Sequence, residues 1–245
     1  MVSSQDAAIG ALLQRSGRDA LPLRRTFVQQ GDAKKCGGPL SRFGKRHVAL
    51  DVYLLAHLLA SQPPWDVELP AKVWARLLGL AENDSSTTLI TRQWNWLEVQ
   101  KLVRTERDGR ARRVFILDES GDGRGYRHPG VASESAAAEG HYFQVSDAYW
   151  RAGWHQRLSM SAKIVLLIAL SLQDDFILPV EHAAKWYSLS ATRIHDGLSE
   201  LRTLGLLEMR VVSRSAPLTE RGVTFERHYA VRAPLRAAPQ QSSDD

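Results

Sequence analysis

The segment Ser190-Ala-Thr-Arg-Ile-His-Asp-Gly-Leu-Ser-Glu-Leu-Arg-Thr-Leu-Gly-Leu-Leu207 indicates the fold more clearly than any other part of the chain. Ile194, Leu198 and Leu201 are spaced at i, i+4 and i+7, which places them on one face of a helix. Apolar residues at the end of the segment lead into a strand. We therefore predict a helix that buries one face and is followed by a β-hairpin.

The same pattern occurs earlier in the chain, so the sequence contains an internal repeat. Each copy has an apolar helix, at 47–60 and 161–172, then a short strand ending in Leu-Pro, then a second helix, at 71–80 and 180–189. The offset between copies is 109 up to that point and 104 in the third helix, so the first copy has extra residues around 81–85. The matching positions are Asp66 with Asp175, Leu69 with Leu178, Pro70 with Pro179, Leu80 with Leu189, Ile90 with Ile194, Trp94 with Leu198, Leu97 with Leu201, and Leu102 with Leu206.

A β-hairpin is predicted after each third helix. Residues 103–117 contain Asp108-Gly109, which supplies the positive φ angles of a type I′ turn. Residues 207–213 and 223–232 form the second hairpin around a longer loop. Helix, short strand, helix, turn, helix and hairpin is the order of elements in a winged helix. The predicted fold is mostly α with small antiparallel β wings.

The second copy resembles the helix-turn-helix of GntR- and MarR-type winged-helix regulators, with one additional residue near Tyr187-Ser188. The residues that carry this resemblance are Leu178-Pro179, Ala183-Ala184, Leu189-Ser190, Ile194, Leu198, Leu201 and Gly205-Leu206-Leu207. The first copy resembles the family more weakly, with Lys101 where the second has Gly205. Two such units in one chain are also similar in layout to tandem winged-helix plasmid replication initiators. The resemblance implies two DNA-binding helix-turn-helix domains.

Composition divides the chain into five parts. Residues 1–42 lack a sustained periodic pattern of apolar residues and are expected to form a basic, loosely packed arm. Residues 43–118 and 141–235 are the two winged-helix domains. Residues 119–140 are rich in Gly, Ser and Ala, a composition typical of a flexible linker, and 236–245 are expected to be a disordered tail.

The charge distribution favours an acidic partner. The net charge is +5, and residues 1–118 hold 18 basic and 12 acidic side chains, whereas residues 141–245 hold 12 and 11. A basic excess in one half of a protein commonly accompanies nucleic-acid binding. We therefore expect double-stranded DNA as the partner, bound mainly by the first domain.

In a winged helix the third helix lies in the major groove and its outer face reads base edges. Helix 87–97 buries Ile90, Trp94 and Leu97, which leaves a polar face for that role. The wing at 104–113 is rich in arginine, and DNA phosphates would relieve the repulsion between these positive side chains. The candidate DNA-binding residues of the first domain are Thr87, Thr88, Thr91, Arg92, Asn95, Arg104, Arg107, Arg110, Arg112 and Arg113.

The second domain is a weaker candidate for DNA binding because acidic residues offset its basic ones. It would add a further DNA half-site, a dimer interface, or both. Its candidate DNA-binding residues are Ser190, Thr192, Arg193, His195, Arg214 and Arg221.

No sequence signal indicates an enzyme or a cofactor. The chain has no GxxxxGK[ST] phosphate loop and no HExxH, CxxC or GxSxG motif. Its single cysteine, Cys36, excludes an internal disulfide and any zinc site built on several thiolates. The longest apolar run, 164–170, is far shorter than a membrane span, and no secretory signal is visible.

The sequence therefore predicts a cytoplasmic, nucleoid-associated protein that binds double-stranded DNA sequence-specifically and regulates transcription without a cofactor. One alternative is an initiator of plasmid or mobile-element replication. Another, from a different class, is a protein–protein adaptor built on winged helices. A homodimer is compatible with each, and the sequence does not identify a small-molecule effector.

Overall fold

Helices and small antiparallel sheets make up the part of the chain that the computed structural model describes, residues 4–31, 37–108, 111–129, 142–215, 217–218 and 222–236. This combination confirms the predicted mixture of helices and small antiparallel sheets. The α-helices are α1 Ser4–Ser16, α2 His47–Leu59, α3 Ala71–Leu77, α4 Asp84–Val99, α5 Ala148–Arg151, α6 Trp154–Arg157, α7 Met160–Ser171, α8 Val180–Trp186 and α9 Ala191–Thr203. The strands are β1 Ala20–Arg24, β2 Asp66–Leu69, β3 Val103–Asp108, β4 Ala111–Ile116, β5 Tyr142–Ser146, β6 Phe176–Ile177, β7 Leu207–Ser215 and β8 Val223–Val231. Two short 3-10 helices cover Arg25–Phe27 and Pro39–Phe43.

The internal repeat predicted from the sequence is present in three dimensions. Residues 47–116, here called the first unit, run α2, β2, α3, α4, β3 and β4, and their three strands lie in the order β2-β4-β3. Residues 160–231, the second unit, run α7, β6, α8, α9, β7 and β8, with the order β6-β8-β7. The two units therefore have the same elements and the same strand order.

The repeat extends to the backbone conformation of the turns. Gly79 and Ser188, 109 residues apart, both have positive φ angles, of 68° and 53°. Lys101 and Gly205, 104 residues apart, have φ angles of 59° and 70°. Each of these left-handed residues ends a helix, where a backbone hydrogen bond satisfies an otherwise free helical carbonyl. The sequence offsets of 109 and 104 thus reflect two equivalent turns.

Each unit is built on one helix that is buried on nearly all sides. In α2, every residue from Val48 to Leu58 is buried, and α7 is buried from Ala162 to Leu170. Gly197 of α9 faces α7 so closely that an added Cβ would lie 2.5 Å from the carbonyl oxygen of Ser161. Only glycine allows this approach, which sets how closely the third helix of the second unit packs.

The N-terminal segment differs from the prediction of a loosely packed arm. Helix α1 buries Leu13, and β1 fully buries Leu21 and Leu23. Strand β1 pairs antiparallel with β5, so that Ala20 lies opposite Ser146. The apolar residues of this segment are too few to show a period by themselves, and their packing partners come from distant parts of the chain. Residues 1–3 and 32–36 of the predicted arm lie outside the described ranges.

The predicted flexible linker is also corrected over its described part, residues 119–129. Glu119 is fully buried, and its carboxylate lies 2.6 Å from Arg24 Nη1 and 3.3 Å from His57 Nε2. Tyr126 is buried beside the same group. A polar composition predicted a linker here because the partners of Glu119 are remote in sequence. Residues 130–141, and residues 237–245 of the predicted tail, lie outside the described ranges.

A buried ion pair joins the two units. Lys163 Nζ on α7 donates to Asp51 Oδ2 on α2 over 2.6 Å, and Tyr149 Oη donates to Asp51 Oδ1 over 3.2 Å. All three side chains are buried. Strands β1 and β5 lie outside both units, but β1 packs against α2 and β5 packs against α7, so their pairing also holds the first unit against the second. Within the described ranges, no helix combines the length and apolarity that crossing a bilayer would need.

Candidate nucleic-acid interface

Helix α4 presents the polar face that the sequence predicts. Its N-terminus is capped by Asn83, whose side chain accepts a hydrogen bond from the backbone N–H of Ser86 over 2.9 Å. Ile90, Trp94 and Leu97 are buried against the first unit. The predicted reading residues lie on the other side of the helix, with Thr88, Arg92 and Asn95 exposed and Thr87 and Thr91 partly exposed.

The β3–β4 hairpin, the wing of the first unit, has two chemically different faces. Side chains alternate between faces along a strand, and directly opposed residues share a face. Arg107 lies opposite Arg112 on the face that also carries the buried Val103 and Val114. We call this the helix-facing side, because Arg112 on it contacts α4.

Two side-chain contacts tie this side of the wing to α4. Arg112 Nη1 donates a hydrogen bond to Asn95 Oδ1 over 3.0 Å. Glu98 Oε1 accepts a hydrogen bond from the backbone N–H of Thr105 over 2.9 Å. The predicted helix residue Asn95 and the predicted wing residue Arg112 therefore belong to one continuous surface.

A small cavity of about 150 Å³ lies where α3, α4 and the wing meet. Thr91, Arg107 and Arg112 provide its polar lining, and Trp74 and Trp94 are among its apolar lining residues. The two tryptophan rings pack edge to face with centroids 5.3 Å apart. The cations of the wing thus border a concave surface beside Thr91, one of the residues predicted from the sequence to contact DNA.

Arg107 and Arg112 lack acidic neighbours at ion-pair distance among the described residues. Burial lowers the pKa of Arg112 from its ordinary value, the positive charge of Arg107 lowers it further, and the carboxylate of Glu98 opposes these two effects without cancelling them. A guanidinium remains protonated at neutral pH despite such a shift. The two opposed guanidinium groups have no ion pair among the described residues and Glu98 compensates them only in part, which is a local electrostatic cost that a bound anion would offset.

The opposite side of the wing is charge-neutralised, which the sequence did not reveal. Arg113 Nε donates to Asp66 Oδ2 over 2.5 Å, and this hydrogen bond raises the pKa of Arg113. Arg104 pairs with Glu106 and lies 4.0 Å from the centroid of the Phe115 ring. The five predicted wing arginines therefore fall into three groups. Arg107 and Arg112 have no ion pair in the described part of the chain, whereas Arg104 and Arg113 are paired with carboxylates. Arg110 lies outside the described ranges.

The corresponding surface of the second unit is different. Ser190 caps α9 by accepting a hydrogen bond from the backbone N–H of Arg193, so its hydroxyl has a structural role. Thr192 and His195 are exposed, and His195 Nδ1 lies 3.6 Å from the neighbouring Asp196 carboxylate. Arg214 pairs with Glu226 over 2.7 Å. Arg221, the remaining candidate, lies outside the described ranges.

Further ion pairs neutralise the β7–β8 hairpin, the wing of the second unit. Arg210 pairs with Asp175, and Arg232 lies 3.3 Å from Glu208. Comparison with protein-family models, with curated proteins and with solved structures finds no match to the chain. Its function is therefore inferred from its own residues. A pair of opposed arginines distinguishes the first unit from the second, where Val211 lies opposite the exposed Arg227.

Proposed function

We propose that the two units are winged-helix domains and that the protein binds double-stranded DNA sequence-specifically as a transcriptional regulator. One observation carries this proposal. Arg107 and Arg112 face each other without a carboxylate at ion-pair distance in the described part of the chain, beside the exposed polar face of α4. A DNA phosphate at this point would satisfy both guanidinium groups while α4 lies in the major groove.

The side chains of α4 suit base recognition. Arg92 is exposed and has the fork of donors that pairs with guanine. Asn95 suits adenine through its amide, although its oxygen is engaged by Arg112 and a bidentate contact would replace that bond. Thr88 and Thr91 suit a thymine methyl or a phosphate. In this proposal α4 supplies specificity and the helix-facing side of the wing supplies affinity.

The second unit contributes less to DNA affinity in this proposal, because three of its wing arginines, Arg210, Arg214 and Arg232, are paired with carboxylates. Among the described residues of this wing, Arg227 is the arginine without an ion pair. Thr192 and Arg193 remain candidates for contacts with DNA. A surface whose charges are already paired suits contact with a protein better than contact with DNA. Burying such ion pairs intact leaves no isolated charge in the interface.

Replication initiation from a plasmid or mobile element is the second candidate function. The observation that favours it is the packing of the two units against each other through β1–β5 and the Asp51–Lys163 pair. Such packing would hold both units on one repeated site. Deleting the gene from a replicon distinguishes the two roles: an initiator is needed for maintenance, whereas a regulator only changes expression.

Fluorescence anisotropy across a salt series tests DNA binding itself. The probes are a random duplex and a duplex from upstream of the protein's own gene. We expect steep salt dependence on both and tighter binding to the upstream duplex. Absence of binding at low salt would overturn the proposal and favour a protein–protein adaptor.

A further inference from the structure

The outer edge of β7 and the sheet face beside it are exposed. Strand β7 pairs only with β8, so one of its edges carries backbone groups without strand partners among the described residues. On the side that continues the core-facing residues of this sheet, Val211 is 55% exposed and Phe225 is 63% exposed, and the exposed Arg227 lies opposite Val211 on the same side. Large apolar residues on the outer half of a free sheet face are typical of a contact surface.

In the first unit, a side chain contacts the equivalent strand edge, the outer edge of β3. There, the carboxylate of Glu98 accepts a hydrogen bond from the backbone N–H of Thr105 on the outer strand β3. The positions 104 residues further on are Arg202 and Met209. Arginine cannot accept a hydrogen bond, and no described side chain accepts one from the β7 backbone. The second unit therefore lacks the group that protects this edge.

We propose that β7 pairs antiparallel with β7 of a second copy of the chain, which joins the two three-stranded sheets into one of six strands. The contact is a symmetric homodimer interface. It adds main-chain hydrogen bonds along both strands, as in other associations that extend a sheet at its edge. It requires neither DNA nor the first unit, so it is independent of the proposed function.

Symmetry, charge and the length of the strand together select one register. A twofold axis perpendicular to the sheet leaves each side chain on the same sheet face in both copies. Because directly opposed residues share a face, one residue of β7 must lie opposite its own copy across the axis. Centring on Arg210 opposes two copies of Arg210, and centring on Val212 opposes Arg210 with Arg214; both arrangements are repulsive. Centring on Val211, the midpoint of Leu207–Ser215, pairs the whole strand and opposes Glu208 with Arg214 of the second copy.

The same register brings the exposed apolar residues together. Val211 lies opposite Val211 of the second copy, on the axis. Phe225 neighbours Ser213 across β7–β8, and Ser213 would lie opposite Met209 of the second copy, so the ring extends the apolar strip. The pairing thus brings the two Val211 side chains together and covers part of the surface that each leaves in water in the isolated chain.

Cross-linking in a Cys36→Ser background tests the register. In this background Val211→Cys places two thiols on the axis, with Cβ atoms about 4.5–5.5 Å apart. A short bis-maleimide should convert this variant into covalent dimers. Val223→Cys is the matched control, because the same geometry separates its two copies by about 30 Å. Absence of dimers from Val211→Cys, or equal cross-linking of both variants, would overturn the proposal.

Sedimentation velocity across a protein concentration series, without DNA, tests the interface energetically. Glu208→Arg or Arg214→Glu alone should weaken dimerisation by about two- to thirtyfold, since each change makes two cross-strand pairs repulsive. The double variant Glu208→Arg/Arg214→Glu should recover dimerisation, although it disrupts the intrachain pairs with Arg232 and Glu226. A wild-type chain that stays monomeric, or a double variant no better than the single ones, would contradict the pairing. Circular dichroism confirms that each variant is folded.

Discussion

Arg112 Nη1 on β4 lies 3.0 Å from the amide oxygen of Asn95 on α4 and donates a hydrogen bond to it. This contact holds the wing of the first unit against the helix that we propose to read DNA. It also separates the wing arginines by role, because Arg112 faces α4 whereas Arg113, the next residue, points to the other side and pairs with Asp66.

Arg107→Ala and Arg112→Ala should weaken binding to every duplex. Each variant removes one proposed bond to a phosphate, so its slope of log K against log salt should be shallower than that of the wild type by about 0.9. Anisotropy across a salt series measures that slope. Arg113→Ala is the control, since its guanidinium is held by Asp66, and its slope should match the wild type. Equal weakening in all three variants would contradict the two-faced wing.

Arg92→Ala and Asn95→Ala should relax the choice of base at particular positions rather than weaken binding uniformly. A well-made contact between a side chain and a base favours the preferred base over a wrong one by roughly 1–3 kcal/mol of binding free energy. Competition between duplexes that each carry one substituted base pair measures this quantity. Ser199→Ala, at the position of α9 that corresponds to Asn95, should leave the preference unchanged. Unaltered preference in both α4 variants would remove α4 from the reading surface.

Lys163→Met should reduce the free energy of unfolding by about 3–5 kcal/mol, because it leaves the buried Asp51 carboxylate without its cation. Adding Asp51→Leu should restore much of the stability, since an apolar pair removes the isolated charge. Urea denaturation of the wild type and both variants measures the difference. A double variant less stable than the single one would show that the destabilisation comes from packing around Tyr149 instead of from charge.

Stability should fall as the pH drops below neutrality, in part because of His155. Burial, with a smaller contribution from the charge of Lys163, lowers the pKa of His155 to about 4. The unfolded chain takes up a proton at this residue near pH 6.5, whereas the folded chain does not until about pH 4. The contribution of His155 to the free energy of unfolding is therefore fully present above pH 6.5. About 3 kcal/mol of it is lost as the pH falls to 4.

The variant His155→Gln isolates this effect. Its stability should depend less on pH between 6.5 and 4 than that of the wild type, whatever its stability at pH 7. Denaturation at a series of pH values gives both curves, and parallel curves would exclude His155 as the titrating group.

Much of the repeated architecture could be predicted because its signals are local. Ile90, Trp94 and Leu97 mark the buried face of α4 within two turns, and this alone exposes Arg92 and Asn95. The match of Lys101 to Gly205 also carried structural information, since both residues adopt a positive φ at the end of a helix.

Features that depend on remote partners could not be predicted. Strand β1 is five residues long and contains Pro22, so its apolar residues show little pattern until β5 lies beside them. Glu119 looked like part of a polar linker because Arg24 and His57 are far away in sequence. Likewise, the neutralisation of Arg113 depends on Asp66 being brought alongside by the β2–β4 pairing.

The pairing of β1 with β5 has a consequence for a protein present at low copy number. When two equivalent units belong to separate subunits, dilution separates them by mass action. Here one chain holds both units side by side through Ala20–Arg24 and Tyr142–Ser146. Their juxtaposition therefore survives any dilution at which the chain stays folded, and a single molecule in a cell would still present both.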